Sequence, residues 1–389
     1  MKWSDSMVWL GLDDTDSLEG GCTTEMFCKL LKRMKIPYRD ARLVRLWPFA
    51  EKRTRGNASV GAELLCSFDE ASGLIDEQWA WLQQRCQANS EPVLILSESQ
   101  PLEENYWSAV RRHLPEQELI LDGKYKNWGD GSGLIGAVAA ISWSGKDDHT
   151  WEQTVYRLPS NIGTKRMIPS KLHLLDEKFP GTFLNRDPRL NKGLIAPRSP
   201  CPVLLAIRAE TEEQAKSAWV WLSKQEGIEQ INGTMLWRTN QACDDHIISS
   251  VKARVLSNPI IKEKGHCILD TSAGKVIAFA EGGAVNKLLQ KCIEGDEIEF
   301  IGLLHKEIYY LERLRLHKPA LRKAMRPTCE CGTRMKSKGR GQFLKCPKCA
   351  NTTEQRWLGQ SIEPVDWVEP PADRRRHLAA PLSRINNPG

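Results

Sequence analysis

The sequence of 389 residues has no run of eighteen or more apolar residues, so no segment reads as a membrane-spanning helix. Its opening residues, MKWSDSMVWL, include Asp5 and lack the basic and apolar blocks of a secretory leader, which points to a cytoplasmic protein with no membrane partner. No Gly-Lys-Ser/Thr follows any of its glycine clusters, which argues against a P-loop. It holds no long internal repeat and no low-complexity tract. Its formal charge of +6 is too small to announce a nucleic-acid partner from composition alone.

What is present is globular in character, with 27% charged residues and a length that favours two to four domains. Twelve cysteines in an intracellular chain are thiols or metal ligands rather than a disulfide framework. Four of them cluster in CECGTRMKSKGRGQFLKCPKC. Cys329, Cys331, Cys346 and Cys349 form two pairs, and four thiolates on two knuckles complete a tetrahedral Zn(II) site of the closed, structural kind. The first pair is Cys-x-Cys where Cys-x-x-Cys is usual.

The same stretch is lopsided in charge. From Lys318 to Lys348 the basic residues include Arg322, Lys323, Arg326, Arg334, Lys345 and, on the loop between the knuckles, Lys336, Lys338 and Arg340; the single acid is Glu330. Such a field suits a phosphate backbone.

A second constellation opens the chain. Met7 to Leu12 is a short apolar run that predicts a buried strand, and it ends in the loop DDTDSLEGGCT. Asp13, Asp14 and Asp16 would repel one another without a cation, and hard carboxylate oxygens suit Mg(II) carrying a nucleoside triphosphate. From Thr23 a helix is predicted with Met26, Leu30, Leu31 and Met34 on one face. Thr23 and Thr24 stand at its start, where free N–H groups favour a phosphate, although a threonine there also simply caps a helix. Arg45, Lys52, Arg53, Arg55, Gly56 and Asn57 form a basic cluster fit for triphosphate or RNA phosphates. The run Gly129 to Gly136 predicts a glycine-rich turn entering a small-residue helix.

The pattern of elements predicts a multidomain α+β chain. Strands at Ala41 to Leu46, Ser59 to Cys66 and Val93 to Leu96, with a helix around Asp76 to Cys86, make residues 1–142 an α/β domain. A strand from Pro202 and a helix from Glu212 suggest a small α+β domain over 143–245. Short apolar runs between turns suggest a β-barrel of the OB kind over 246–318. The ribbon occupies 326–351 and a proline-punctuated tail 352–389.

Eight stretches carry a resemblance: GLDDTDSLEGGCTT at Gly11, RLVRLWPFAEKRTRGNASVG at Arg42, GLIGAVAAI at Gly133, IAPRSPCPVLLAIRAE at Ile195, TNQACDDH at Thr239, IYYLERL at Ile308, the cysteine pairs, and EPPADRRRHLAAPLSR at Glu369. In this order they resemble the archaeal tRNA-isoleucine 2-agmatinylcytidine synthetases. The resemblance implies a kinase-like domain unrelated to the P-loop, then a ferredoxin-like domain, an OB fold and a zinc ribbon. It implies ATP-dependent phosphorylation of the 2-carbonyl of the wobble cytidine in isoleucine tRNA with a CAU anticodon, displacement of that phosphate by agmatine, and decoding of AUA. It assigns the family's catalytic motif to Asp13, Asp14, Thr15 and Asp16, and its autophosphorylated threonine to Thr23. Arg53, Arg55, Gly56, Asn57 and Gly133 are expected at ATP or phosphate, and Lys336, Lys338, Arg340 and Arg375 at tRNA. Ser132, Cys243 and the shortened first cysteine pair depart from the family pattern. The residues alone also admit a non-enzymatic RNA-binding protein or a small-molecule kinase with an accessory ribbon. Neither oligomeric state nor the agmatine-binding residues are legible.

Overall fold

The computed structural model describes residues 7–385 apart from 55, 132, 191, 340–341 and 355–357. The chain divides into two compact units, Met1–Ile248 with Ala372–Gly389, and Ser249–Pro371.

The first unit is built on one mixed sheet. In chain order its elements are β1 (Val8–Asp13), α1 (Thr23–Met34), β2 (Tyr38–Arg45), β3 (Ala58–Leu64), α2 (Phe68–Gln83), β4 (Val93–Ser97), α3 (Glu104–Arg111), β5 (Tyr125–Trp128), α4 (Gly133–Ser142), β6 (Thr150–Arg157), α5 (His173–Lys178), β7 (Thr182–Phe183), β8 (Arg186–Asp187), β9 (Lys192–Gly193), β10 (Val203–Ala209), α6 (Glu212–Leu222) and β11 (Ile231–Thr239). Nine strands pair in the order β5-β4-β1-β3-β2-β11-β6-β10-β7, while β8 and β9 form a separate hairpin. The pairing of Arg238 and Thr239 with Arg42 and Leu43 is parallel, and it carries the sheet across residue 142 without a break.

Sequence periodicity produces α1 as expected. Met26, Leu30, Leu31 and Met34 are buried, Lys32 and Arg33 lie in the last turn, and Lys35 closes the helix in the left-handed conformation. The helix expected around Asp76 begins earlier, at Phe68, because Ser67 caps it by accepting from Glu70 N at 3.3 Å. Helix α4 lies very close to the sheet, and the glycines explain how. Gly11 and Gly61 face each other across β1 and β3. A Cβ on Gly11 would stand 2.2 Å from the Ala137 carbonyl oxygen, and one on Gly61 2.8 Å from Ile141 Cγ2.

Strands β6 and β11 are not predicted by the pattern. β6 reads TWEQTVYR and is buried along most of its length, with its polar groups satisfied internally. Thr154 Oγ1 donates to Glu152 Oε1 at 2.8 Å, and Arg157 Nε to Glu229 Oε1 at 2.7 Å. A strand whose buried residues are paired polar groups has no apolar alternation to read.

The second unit holds β12 (Val251–Arg254), β13 (Ile260–Ile261), β14 (Cys267–Thr271), β15 (Gly274–Ala278), α7 (Ala284–Leu289), β16 (Glu297–His305), β17 (Ile308–Lys318), β18 (Lys323–Met325), β19 (Lys336–Ser337), β20 (Leu344–Lys345), β21 (Thr352–Thr353), β22 (Leu358–Gln360) and β23 (Val365–Val368). The main sheet runs β12-β16-β17-β15-β14-β13, with β23 also on β17. The barrel expected here is not closed. After Arg254 the chain leaves the ladder, and among the described residues the β12 and β14 ends of the sheet meet only through an isolated bridge, Val255 to Thr271. Its core is compact nonetheless, around Leu269, Val276, Ile298, Phe300, Leu314 and Leu316.

The segment after residue 352 is not a free tail. β22 pairs with β18, β23 pairs with β17, and Ala372 onward returns to the first unit, ending in α8 (Leu382–Ile385). Arg384 anchors that return, donating to Asp148 Oδ2 at 2.7 Å and to the Ala242 carbonyl at 2.8 Å.

Candidate active site

At the end of β1 the chain turns sharply, with Asp14 in the left-handed region at φ 57°. Aspartate tolerates that conformation better than most residues, and such strain is retained where surrounding structure demands it. The turn separates the three carboxylates. Asp13 Oδ2 accepts from Ser59 Oγ at 2.7 Å, and its Oδ1 from Asp14 N at 2.7 Å. Asp14 Oδ2 accepts from Glu91 N at 2.9 Å. Asp16 Oδ1 accepts from Thr23 Oγ1 at 3.3 Å and from Thr54 Oγ1 at 3.0 Å.

Burial pushes the Asp13 carboxyl up to about 8, with Asp14 and Asp16 adding repulsion, and burial also raises Asp14. Carboxylates held in this state gain most from a cation. The approach of Asp13 to α4 depends on Gly136: a Cβ there would overlap Asp13 Oδ2 at 1.7 Å and Ser59 Oγ at 2.2 Å. Gly133 serves Asp14 in the same way, since its Cβ would lie 3.2 Å from Asp14 Cβ and 2.8 Å from the Glu91 carbonyl.

Asp13, Asp14, Asn57, Gly133 and Gly136 line a cavity of about 420 Å³. That is within the range of small-molecule sites, roughly 300–1,000 Å³. Its other walls are Leu46, Trp47 and Ile135, Lys52, and the segment Arg112 to Gln117 that follows α3. The cavity thus has carboxylates at one part of its wall and apolar surface with cations at another, a combination suited to a metal-bound, aromatic, anionic ligand. Asn57 also sits in the left-handed region, at φ 45°, and its Nδ2 donates to the Trp47 carbonyl at 3.0 Å. Lys52 pairs with Glu91 at 2.9 Å.

Thr15 and Thr23 are buried and do not line the cavity. Thr23 Oγ1 accepts from Thr15 N at 3.4 Å and Thr15 Oγ1 at 3.3 Å while donating to Asp16. Thr23 is the first residue of α1, and Cys22 occupies the cap position without a side-chain cap bond, so neither threonine is the cap. Arg53 is exposed and turns its guanidinium to the Ala50 carbonyl at 2.6 Å; Gly56 faces Arg45, and neither lines the cavity. Arg55 and Ser132 lie outside the described residues.

Sequence reading misses Ser59, Thr54, Glu91 and the Arg112 to Gln117 segment. Gly136, read from sequence only as part of a glycine-rich turn, keeps that side of α4 free for Asp13.

In the second unit the four cysteine sulfurs lie within 4.8 Å of one another. Cys329 Sγ is 3.4 Å from Cys349 Sγ, and Cys331 Sγ 3.5 Å from Cys346 Sγ. Four thiolates around Zn(II) at about 2.3 Å stand about 3.8 Å apart, so the donor set fits that ion. The short Cys-x-Cys pair is accommodated by a turn at Gly332, with φ 80°, whose N–H donates to the Cys329 carbonyl at 2.8 Å. Among the described residues, Met335 and Leu344 are the only non-cysteine members of the ribbon's buried cluster. Lys336 and Lys338 are exposed on it, Arg340 lies outside the described residues, and Arg375 is half-buried in the returning segment of the first unit.

The isoleucine-tRNA 2-agmatinylcytidine synthetase TiaS of Archaeoglobus fulgidus is 30% identical to this chain over 421 residues, covering 98% of each. The chain belongs to the TiaS family. Family models agree segment by segment: the TiaS TCKD domain matches residues 9–124, the TiaS FLD domain 131–246, and the TiaS C-terminal zinc ribbon domain 326–362. The crystal structure of a TiaS complex with isoleucine tRNA and ATP is similar with a TM-score of 0.82, 27% identity and 99% coverage of both chains. That of a TiaS complex with isoleucine tRNA, AMPCPP and agmatine has a TM-score of 0.79, 25% identity, and coverage of 99% of this chain and 98% of that one. No helix among the described residues of this TiaS-family chain is long and apolar enough to cross a membrane.

Proposed function

We propose that this chain is a cytoplasmic ATP-dependent ligase that joins agmatine to C2 of the wobble cytidine in isoleucine tRNA bearing a CAU anticodon, so that AUA is read as isoleucine. The observation that carries the reading is the pair Asp13 and Asp14, raised by burial at the wall of a ligand-sized cavity, in a chain that matches TiaS relatives over 98% of its length.

The cavity takes ATP. Asp13 and Asp14 would hold Mg(II), which would supply charge neutralisation to the triphosphate. Asn57 and Gly133 hold the ATP phosphates, and the segment that carries Arg53, Arg55 and Gly56 holds the target nucleotide. Asp16 is bound to Thr23 and Thr54 instead. It is positioned to accept the Thr23 proton, which supports Thr23 as a phosphoacceptor, with Thr15 orienting it.

A pyrimidine 2-oxygen is a poor leaving group. Transfer of a phosphoryl group onto it makes phosphate the leaving group, which the agmatine amine displaces with loss of a proton.

The architecture supports the finer fold labels. The order β11-β6-β10-β7, all antiparallel, is the 4-1-3-2 order of a ferredoxin-like domain. The parallel β15–β17 pair within β12-β16-β17-β15-β14 fits a partly open OB fold. Residues 1–142 form the kinase-like domain, and the ribbon holds Zn(II) while Lys336, Lys338, Arg340 and Arg375 contact tRNA phosphates.

The test incubates the chain with ATP, Mg(II), agmatine and transcribed isoleucine tRNA, then weighs the anticodon nucleosides. A cytidine heavier by agmatine less water supports the reading, and loss of that product with Asp13→Ala supports the site. Unmodified cytidine despite tight tRNA binding would turn the reading to RNA binding alone.

A further inference from the structure

Thr54 and Asn57 face the ATP cavity, but Gly56 between them faces away. There a second cluster gathers, two guanidiniums beside an imidazole. A Cβ on Gly56 would lie 2.4 Å from Arg45 Nη1 and 3.3 Å from His377 Cδ2, so both side chains pack on that glycine. The His377 carbonyl accepts from Ala242 N at 2.8 Å, and the adjacent Gln241 accepts from Arg208 Nε at 3.2 Å. None of Arg45, Arg208 and His377 lines the cavity.

The charge of the two guanidiniums is poorly compensated. Arg45 Nε is buried with no hydrogen-bond partner, and its Nη1 makes a long bond of 3.4 Å to the Gly56 carbonyl. Glu152 stands 3.4 Å from Arg208 Nε but also accepts from Gln241 and Thr154. Arg45 is the largest cause holding the His377 imidazole well below its ordinary value.

The cluster is also held firmly. Asn240 grips the Arg45 backbone at both groups, accepting from its N at 2.7 Å and donating to its carbonyl at 2.9 Å. Asn240 donates in turn to Tyr106 Oη at 2.7 Å, and Tyr106 donates to Asp245. Ala242, which positions His377, keeps a left-handed φ of 59°, a strain that loops retain where a site demands it.

We propose that Arg45, Arg208 and His377 form a phosphodiester-binding site for the acceptor RNA strand, seating a phosphate that flanks the target cytidine across the Thr54–Asn57 turn from ATP. A fork of guanidinium donors beside an imidazole matches a phosphate, and a flanking phosphate fixes the register of the base to be modified. The site rests on the proposed function for its occupant's identity, but its test reads binding rather than turnover.

The probe is a fluorescent anticodon stem-loop RNA with the CAU anticodon, compared with two copies in which the phosphate 5′ or 3′ to the wobble cytidine is a methylphosphonate of equal size and no charge. With the full chain, one of the two replacements is expected to weaken binding about tenfold. In Arg208→Gln that penalty shrinks while ATP affinity stays at the wild-type value, and Arg208→Lys restores part of it. The proposal is overturned if neither replacement weakens wild-type binding, if the penalty is unchanged in Arg208→Gln, or if that variant loses ATP affinity in parallel. Absence of agmatine conjugation by the wild-type chain would instead sink the proposed reaction, leaving the phosphate site to stand or fall on these titrations.

Discussion

The ribbon draws its four thiols from residues 329 to 349, whereas the cavity draws Asp13 and Asp14, Asn57, Arg112 and Gly133 from across the first unit. In the ribbon the chemistry itself supplies the fold: apart from the thiols its buried cluster, among the described residues, contains only Met335 and Leu344. At the cavity the order is reversed. Apolar clusters built on β1, β3, α1 and α4 supply the fold there, and the carboxylates are held against them. A metal-dependent module is therefore legible and fragile, while a core-dependent site is hard to read and tolerant of losing its ligand.

This contrast can be broken most sharply at the ribbon. Cys346→Ala is expected to unfold residues 326–353, since a structural zinc contributes on the order of 10 kcal/mol of apparent folding free energy. Hydrogen exchange would report complete loss of protection there with ATP affinity of the first unit unchanged; a protected ribbon would show that Met335 and Leu344 suffice without metal. A chelator should reproduce the same pattern.

Next in size is Gly136→Ala. Its methyl cannot coexist with Asp13 Oδ2 at 1.7 Å, so the carboxylate must move by about an ångström or more, which costs on the order of 100-fold in turnover. Steady-state conjugation assays would measure it, and a nearly wild-type rate would mean that Asp13 does not act from its present position.

Ser59→Ala removes one hydrogen bond to a charged group, worth about 1.5–3 kcal/mol. The expected outcome is a loss of Mg(II)-ATP affinity of about 10- to 100-fold with little change in thermal stability, read by titration of a fluorescent nucleotide. Smallest is the effect of Lys336→Gln or Lys338→Gln. Each should lower the slope of log affinity for tRNA against log salt by about 1 and leave ATP binding alone; an unchanged slope would remove the ribbon from the RNA interface.

The legible parts share a feature: their signal is local. β1, α1, β3 and β4 follow apolar runs and helical periodicity, and five strands of the second unit fall where short apolar runs separated by turns predict them. The illegible parts rest on groups that meet only in three dimensions. β6 escapes the pattern because Glu152, Thr154 and Arg157 are buried among partners such as Glu229 and Gln241, which no window on the sequence can supply. The Arg112 to Gln117 wall of the cavity carries no motif, and Asp16 reads as one of three equivalent carboxylates although the structure gives it to Thr23 and Thr54.

By itself the sequence determined the metal chemistry of the ribbon, the acidic turn after the first strand, and the residue types that can meet a triphosphate, because close spacing along the chain forces those groups together. Only the tertiary structure decided which carboxylates face the cavity, that Gly11, Gly61, Gly133 and Gly136 let α4 and the acidic turn approach so closely, and that Arg45, Arg208 and His377 converge. Those outcomes depend on packing between distant segments, where a missing Cβ or a satisfied buried polar group decides the geometry.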